Sequence, residues 1–208
     1  MSQLEQTVSR YRSLRLSAAA DELINLLAEA EANEMSYLGF ADRLAEHELV
    51  QRQDKRIRRN RKMAAFPAEK RLEGFDYRHQ TTITKRQVNA LLDFQFIDER
   101  NNLVFIGPPG VGKTHLAIGI GYKAVEAGYR VLFRNALDLV EELELAEMKG
   151  ELKKRVSALA KYDLLIIDEL GYLPMTRQAR YNLFQLINSL YEYRSIILTT
   201  NKDFTSWG

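Results

Sequence analysis

Residues 103–114 read Leu-Val-Phe-Ile-Gly-Pro-Pro-Gly-Val-Gly-Lys-Thr, and this stretch decides the fold. Four apolar residues bounded by turn formers predict a short buried strand. Behind them, Gly107, Pro108, Pro109, Gly110, Val111, Gly112, Lys113 and Thr114 fit the pattern G-x-x-x-x-G-K-[ST]. From Gly112 to Ala127 the apolar periodicity predicts a helix, stopped by Gly128. The chemistry implied by strand, glycine loop and helix in that order is anion binding. Glycines let the backbone wrap closely around phosphate, free amides point inward, and the helix N-terminus adds a favourable dipole. Lys113 is expected to reach the β- and γ-phosphates of a nucleotide, and the Thr114 hydroxyl to ligate Mg²⁺.

Outward from the loop, strands and helices alternate. Arg130–Phe133, Leu164–Ile167 and Ser195–Thr199 read as further buried strands; helices are expected around 136–149, 151–160 and 177–191. Apolar strands separated by helices predict an α/β fold, a parallel sheet covered on both faces. Asp168 and Glu169 follow the third of these strands, where carboxylates face the crevice that holds the nucleotide. Asp168 is the candidate for the Mg²⁺ shell and Glu169 for the general base that takes a proton from water. A tandem acidic pair favours hydrolysis over binding alone. At the end of the last strand Asn201 is the candidate for sensing the γ-phosphate.

The first 66 residues show no strand-like alternation and predict a small all-α module, with the boundary to a core of residues 67–208 set by Pro67. Ser17 and Ser36 are candidate N-caps for two helices. On a helical wheel Tyr37, Leu38, Ala41, Leu44, Ala45 and Leu49 share one arc, expected to pack inward. Further along, Arg52, Lys55, Arg56, Arg58, Arg59, Arg61 and Lys62 stand against Asp54 alone. So dense a basic run repels itself and is expected to meet a polyanion; duplex DNA, held by its backbone, is the candidate. A short helix is expected after Pro67, closed by Gly74, and another from Lys85 to about Phe96. The segment Phe75 to Tyr77 is the candidate for contacting adenine.

Composition narrows the class. Of 208 residues, 46% are hydrophobic and 28% charged, the balance of a globular chain rather than a disordered one. The absence of cysteine excludes disulfides and thiol chemistry, and three scattered histidines make a histidine-rich metal site an unsuitable reading. With no apolar signal core at the N-terminus, a cytoplasmic location is expected.

The runs GPPGVGKTHLA, LLIIDELGYLP and ILTTN, with the closing FTSWG, resemble the IstB-like transposition helper ATPases, which are similar to the DnaC helicase loaders within the AAA+ superfamily. The likeness extends through the helical module, including Glu48 and Arg52. It implies an AAA+ ATP hydrolase with ATP and Mg²⁺ between neighbouring protomers, full activity requiring a homo-oligomer, either ring or helical filament. It further implies assembly on duplex DNA, selection and remodelling of target DNA, and recruitment of a transposase. His115 falls in the family phrase GKTHLA and reads as a packing residue. The family strand order 5-1-4-3-2 implies a core that is C-terminally incomplete here, ending at Gly208 ahead of a fifth strand, an arginine finger and a helical lid, with the first strand at a bare sheet edge. Arg177, Arg180 and Arg194 are not assigned to the finger. Two other readings stand beside this one: a helicase loader whose N-terminal module grips a helicase, and a nucleotide-binding kinase or nucleotide-gated scaffold without nucleic acid.

Overall fold

The computed structural model describes residues 1–78, 82–171 and 175–202. Its chain forms two compact units, Met1–Arg58 and Arg59–Gly208.

In the first unit, α1 (Gln3–Ser13) starts in a capping box between Ser2 and Glu5. Helix α2 spans Ser17–Ala32 and buries Ala18, Ala19, Ala20, Leu23 and Leu26. Ser17 is not its cap, as expected, but its first helical residue; Leu16 at the cap offers no side-chain acceptor. The acceptor comes from α3 (Tyr37–Ala64), whose Glu48 carboxylate takes the Ala19 amide proton at 2.9 Å. Ser36 does cap α3, its hydroxyl accepting from the Gly39 amide at 3.1 Å.

The inward arc of α3 differs from the expected one. Tyr37, Leu38 and Leu49 are 97%, 80% and 66% exposed, whereas Phe40, Leu44, His47 and Glu48 turn inward. A wheel finds the width of an apolar stripe but not the roll of the helix. Here the roll follows the carboxylate that must reach the free amides of α2.

The units part at Arg58 and Arg59, inside α3 and earlier than the boundary expected at Pro67. The last turns of α3 belong to the second unit. There the Asn60 amide donates to the carbonyls of Gly128 and Tyr129 at 3.3 Å each, and Ala64 is fully buried.

Beyond Pro67 the expected helix is absent. Only Leu72–Gly74 forms a single 3₁₀ turn. The next expected helix is broken into α4 (Lys85–Ala90), a 3₁₀ turn and α5 (Gln95–Asp98). Phe94 causes the break: it is buried and takes φ 59°, which no continuous right-handed helix accommodates.

The rest is alternating α/β: β1 (Leu103–Ile106), α6 (Lys113–Glu126), β2 (Val131–Asn135), α7 (Ala136–Met148), α8 (Leu152–Leu159), β3 (Leu164–Leu170), α9 (Arg177–Leu190) and β4 (Ser195–Thr200). The four strands are parallel in the order β1-β4-β3-β2, the expected order with β1 at an edge. Leu139, Leu143, Leu186 and Leu190 pack on one face of the sheet with Leu165, Ile167 and Leu198. On the other face Gly121 of α6 lies so close to Ile166 that a Cβ there would approach it to 2.7 Å. Both faces are therefore covered over β2, β3 and β4, as a parallel sheet requires, whereas at the edge β1 is not the buried strand expected: Val104 and Ile106 stay 42% and 38% exposed.

Candidate nucleotide-binding site

Glycine is needed at two points of the 107–114 loop. Gly110 and Gly112 have φ 84° and 90°, a region costly for any residue with a Cβ. Gly112 caps α6, and a Cβ on it would also come within 2.5 Å of the Phe75 ring. The start of α6, whose first amides have no intrahelical partner, borders a cavity of about 360 Å³ lined by the loop together with Lys70, His115, Glu169 and Thr199. Lys113 opens the helix, its Nζ donating to the carbonyls of Gly107 and Pro108 at 2.8 Å each. Burial pushes its pKa below the usual lysine value, opposed by the nearby charges of Asp168 and Glu169.

The acids come from β3, which runs through Leu170, so Asp168 and Glu169 lie within the strand and not behind it. Between the pairs Ile167–Leu198 and Leu170–Thr200 the β3–β4 register slips, leaving two residues opposite Thr199. This bulge assembles the site. Asp168, 4% exposed, accepts from the Thr114 hydroxyl at 2.9 Å and from the Thr199 hydroxyl at 2.6 Å. The Glu169 amide donates to Thr199 Oγ1 at 2.9 Å. Glu169 itself takes φ 62°, and its side chain is exposed toward solvent. One hydroxyl, Thr114 on the cavity lining, and one carboxylate, Asp168 bonded behind it, are both hard oxygen donors of the kind that fits Mg²⁺, which keeps most of its shell for water and phosphate.

Two residues of this arrangement escaped the sequence reading as individual site residues. Thr199, not Asn201, meets the acidic pair; Asn201 lies past the end of β4, exposed and outside the cavity lining. Asn135 ends β2, donates from Nδ2 to Glu169 Oε2 at 3.0 Å, and accepts the Leu137 amide at 2.9 Å as the cap of α7. Its position just ahead of a helix was the available signal, but pointed only to capping. A second cavity of about 470 Å³, between the start of α7 and the start of α9, also borders Asn135 and Glu169. His115 packs as expected: Nε2 donates to the Arg71 carbonyl at 2.7 Å, and the ring meets Phe75 edge-on. Phe75 thus packs on the loop from outside, and neither it nor Tyr77 lines the cavity. Of the family runs, Tyr172–Pro174 and the closing FTSWG lie outside the described residues.

The basic run divides. Arg52 donates to Glu48 at 2.7 Å and to the Arg15 carbonyl, so it is tied into the cap of α2. Arg58 lies 4.0 Å from Asp54, and Arg61 pairs with Glu69 at 3.2 Å over the Tyr122 ring. Lys55, Arg56, Arg59 and Lys62 are exposed, with no ion pair among the described residues.

A parallel sheet in this order, a glycine loop feeding a helix, and an acid on β3, separated from β1 by β4 and within hydrogen-bond reach of the loop threonine, define a P-loop core of the AAA+ type. The chain belongs to the family described as IstB-like ATP binding protein, which matches residues 9–208. It is 40% identical over 94% of its length, and 78% of the relative's, to the insertion sequence IS5376 putative ATP-binding protein of Geobacillus stearothermophilus. To the insertion sequence IS21 putative ATP-binding protein of Pseudomonas aeruginosa it is 39% identical over its whole length and 77% of that protein. Among solved structures it is similar to the DnaC helicase loader (TM-score 0.50, 26% identity, 65% of this chain and 81% of that one). It is also similar to AMPPCP-bound DnaA from Aquifex aeolicus (TM-score 0.54, 26% identity), covering 66% of this chain and less than half, 43%, of that one. No helix among the described residues is long and apolar enough to cross a membrane.

Proposed function

We propose that the chain is an ATP hydrolase that assembles as a homo-oligomer on duplex DNA, selects and remodels that DNA, and engages a transposase. The observation that carries the reading is the meeting of Thr114 and Thr199 on buried Asp168, beside a loop whose Gly110, Gly112 and Lys113 line one cavity. Lys113 and the first amides of α6 hold phosphate oxygens. Mg²⁺, when bound to Thr114 and Asp168, supplies neutralisation of phosphate charge. Glu169, reachable by water, accepts the proton of the attacking water. The exposed cations of α3 bind the phosphates of DNA without reading its sequence. The relatives' association with insertion sequences supports the transposition setting.

Lys113→Ala is expected to abolish ATP binding, whereas Glu169→Gln retains it and slows turnover, holding the protein assembled on DNA. Nucleotide binding and single-turnover hydrolysis measured on both variants test this, and equal loss of ATP affinity in the two contradicts the assigned roles. Imaging the protein with duplex DNA and a non-hydrolysable ATP analogue tests the assembly.

The exposed Tyr37, Leu38 and Leu49 favour a second reading of the first unit. Apolar side chains of this kind suit a protein partner, a helicase or the transposase, better than DNA. Affinity capture with each purified partner separates the two.

A further inference from the structure

The segment ahead of β1 is fastened to the phosphate-loop helix at three points. Leu72 lies against Gly119, where a Cβ would approach it to 2.5 Å; Phe75 lies equally close to Gly112; and the His115 ring holds the Arg71 carbonyl at 2.7 Å. Small residues at the contacts let the segment sit directly on α6, so the residues it carries have fixed places. Charges along it are mutually satisfied with one exception. Glu69 takes Arg71 at 2.6 Å and Arg61 at 3.2 Å, Glu73 takes Lys123 at 2.9 Å, and Glu126 takes Lys123 at 3.5 Å and Arg71 at 3.8 Å. Lys70 alone in this group has no ion-pair or hydrogen-bond partner among the described residues. It is partly buried, and it lines the same cavity as Gly110, Lys113 and Glu169.

Lys70 thus brings a cation without an ion-pair partner to the lining it shares with Lys113 and the first residues of α6, where the helix N-terminus gathers partial positive charge. An anion entering the cavity meets both. We infer that Lys70 is a second phosphate-binding cation of the nucleotide cavity, supplied from outside the glycine loop. The inference rests on the nucleotide reading and adds to it a ligand that the G-x-x-x-x-G-K-[ST] pattern does not contain. It also gives the segment a function: nucleotide entry draws residues 69–75 more firmly onto α6, since one of them shares the ligand's charge.

The test compares ATP, ADP and adenosine binding to the full chain by titration calorimetry. Lys70→Ala is expected to weaken ATP about tenfold, ADP less, and adenosine not at all, the loss of one charge-assisted hydrogen bond to phosphate. Lys70→Arg, which keeps the charge, restores ATP binding to within about threefold of the parent. Unchanged ATP affinity in Lys70→Ala overturns the inference. So does an equal loss for ATP and adenosine, which marks a packing or base contact instead. Lys113→Ala measured alongside keeps the two claims apart. If it leaves ATP affinity intact, the nucleotide reading falls; if it alone abolishes binding while Lys70→Ala is neutral, only the role of Lys70 does.

Discussion

Glu169 holds a left-handed backbone, φ 62°, where a residue with a side chain costs about 1–3 kcal/mol. Its amide finds Thr199 Oγ1 and its carboxylate finds Asn135, and these two bonds keep the strained rotation in place. Asn135 therefore orients the carboxylate of Glu169, the proposed base. Asn135→Asp keeps an acceptor for the α7 cap but sets a second carboxylate against Glu169. We expect kcat for ATP to fall roughly tenfold or more with ATP affinity within about twofold, as steady-state kinetics and binding measured in parallel read. A parallel loss of both indicates a folding defect. The loop, Lys113, Asp168 and Glu169 were legible in the sequence because each lies in an unbroken local string whose spacing is its chemistry. Asn135 was not. It reaches the site through the parallel register that sets it beside Asp168, a long-range pairing that no local window contains.

At the scale of elements, the informative case is the start of α2. Glu48, from α3, replaces the missing cap and is itself held by Arg52. Burial works to raise the Glu48 pKa, but the Ala19 amide and then Arg52 outweigh it and hold the carboxyl below its ordinary value of 4.5. A group whose pKa is depressed on folding contributes stability above its unfolded pKa and loses it as pH falls through the folded value. Thermal unfolding of the full chain is thus expected to lose stability below about pH 4.5 in a component that Glu48→Gln removes. At neutral pH, Glu48→Ala costs on the order of 1–2 kcal/mol, the usual worth of an N-cap. A pH profile identical in parent and Glu48→Gln contradicts the assignment. Element type was legible in the first unit from apolar periodicity, but not after Pro67, where the expected helix is a single 3₁₀ turn. The roll of α3 and the break at Phe94 were not, because a buried carboxylate seeking amides and a buried ring in a left-handed turn are settled by packing.

At the scale of the whole molecule, the charge balance is nearly even, 30 basic against 28 acidic residues, so any affinity for DNA must come from local placement. Four cations of α3, namely Lys55, Arg56, Arg59 and Lys62, carry that placement, and Arg52 is spent on the fold. Replacing the four by Ala is expected to flatten the dependence of log DNA affinity on log salt by roughly 3–4, while Arg52→Ala changes the melting temperature more than the salt slope. Filter-binding across a salt series checks both; an unaltered slope in the fourfold variant removes the helix from DNA binding. The amino-acid sequence by itself determined the class of this protein. Hydrophobic periodicity set the alternation of strands and helices, and the glycine loop with its lysine set the phosphate chemistry, because both depend on neighbours within a few residues. Only the tertiary structure decided which polar groups meet. The bulge that puts Thr199 against the two acids, the register that delivers Asn135, and the packing that turns Lys70 to the cavity are properties of strands and helices brought side by side, and spacing along the chain does not encode a distance across it.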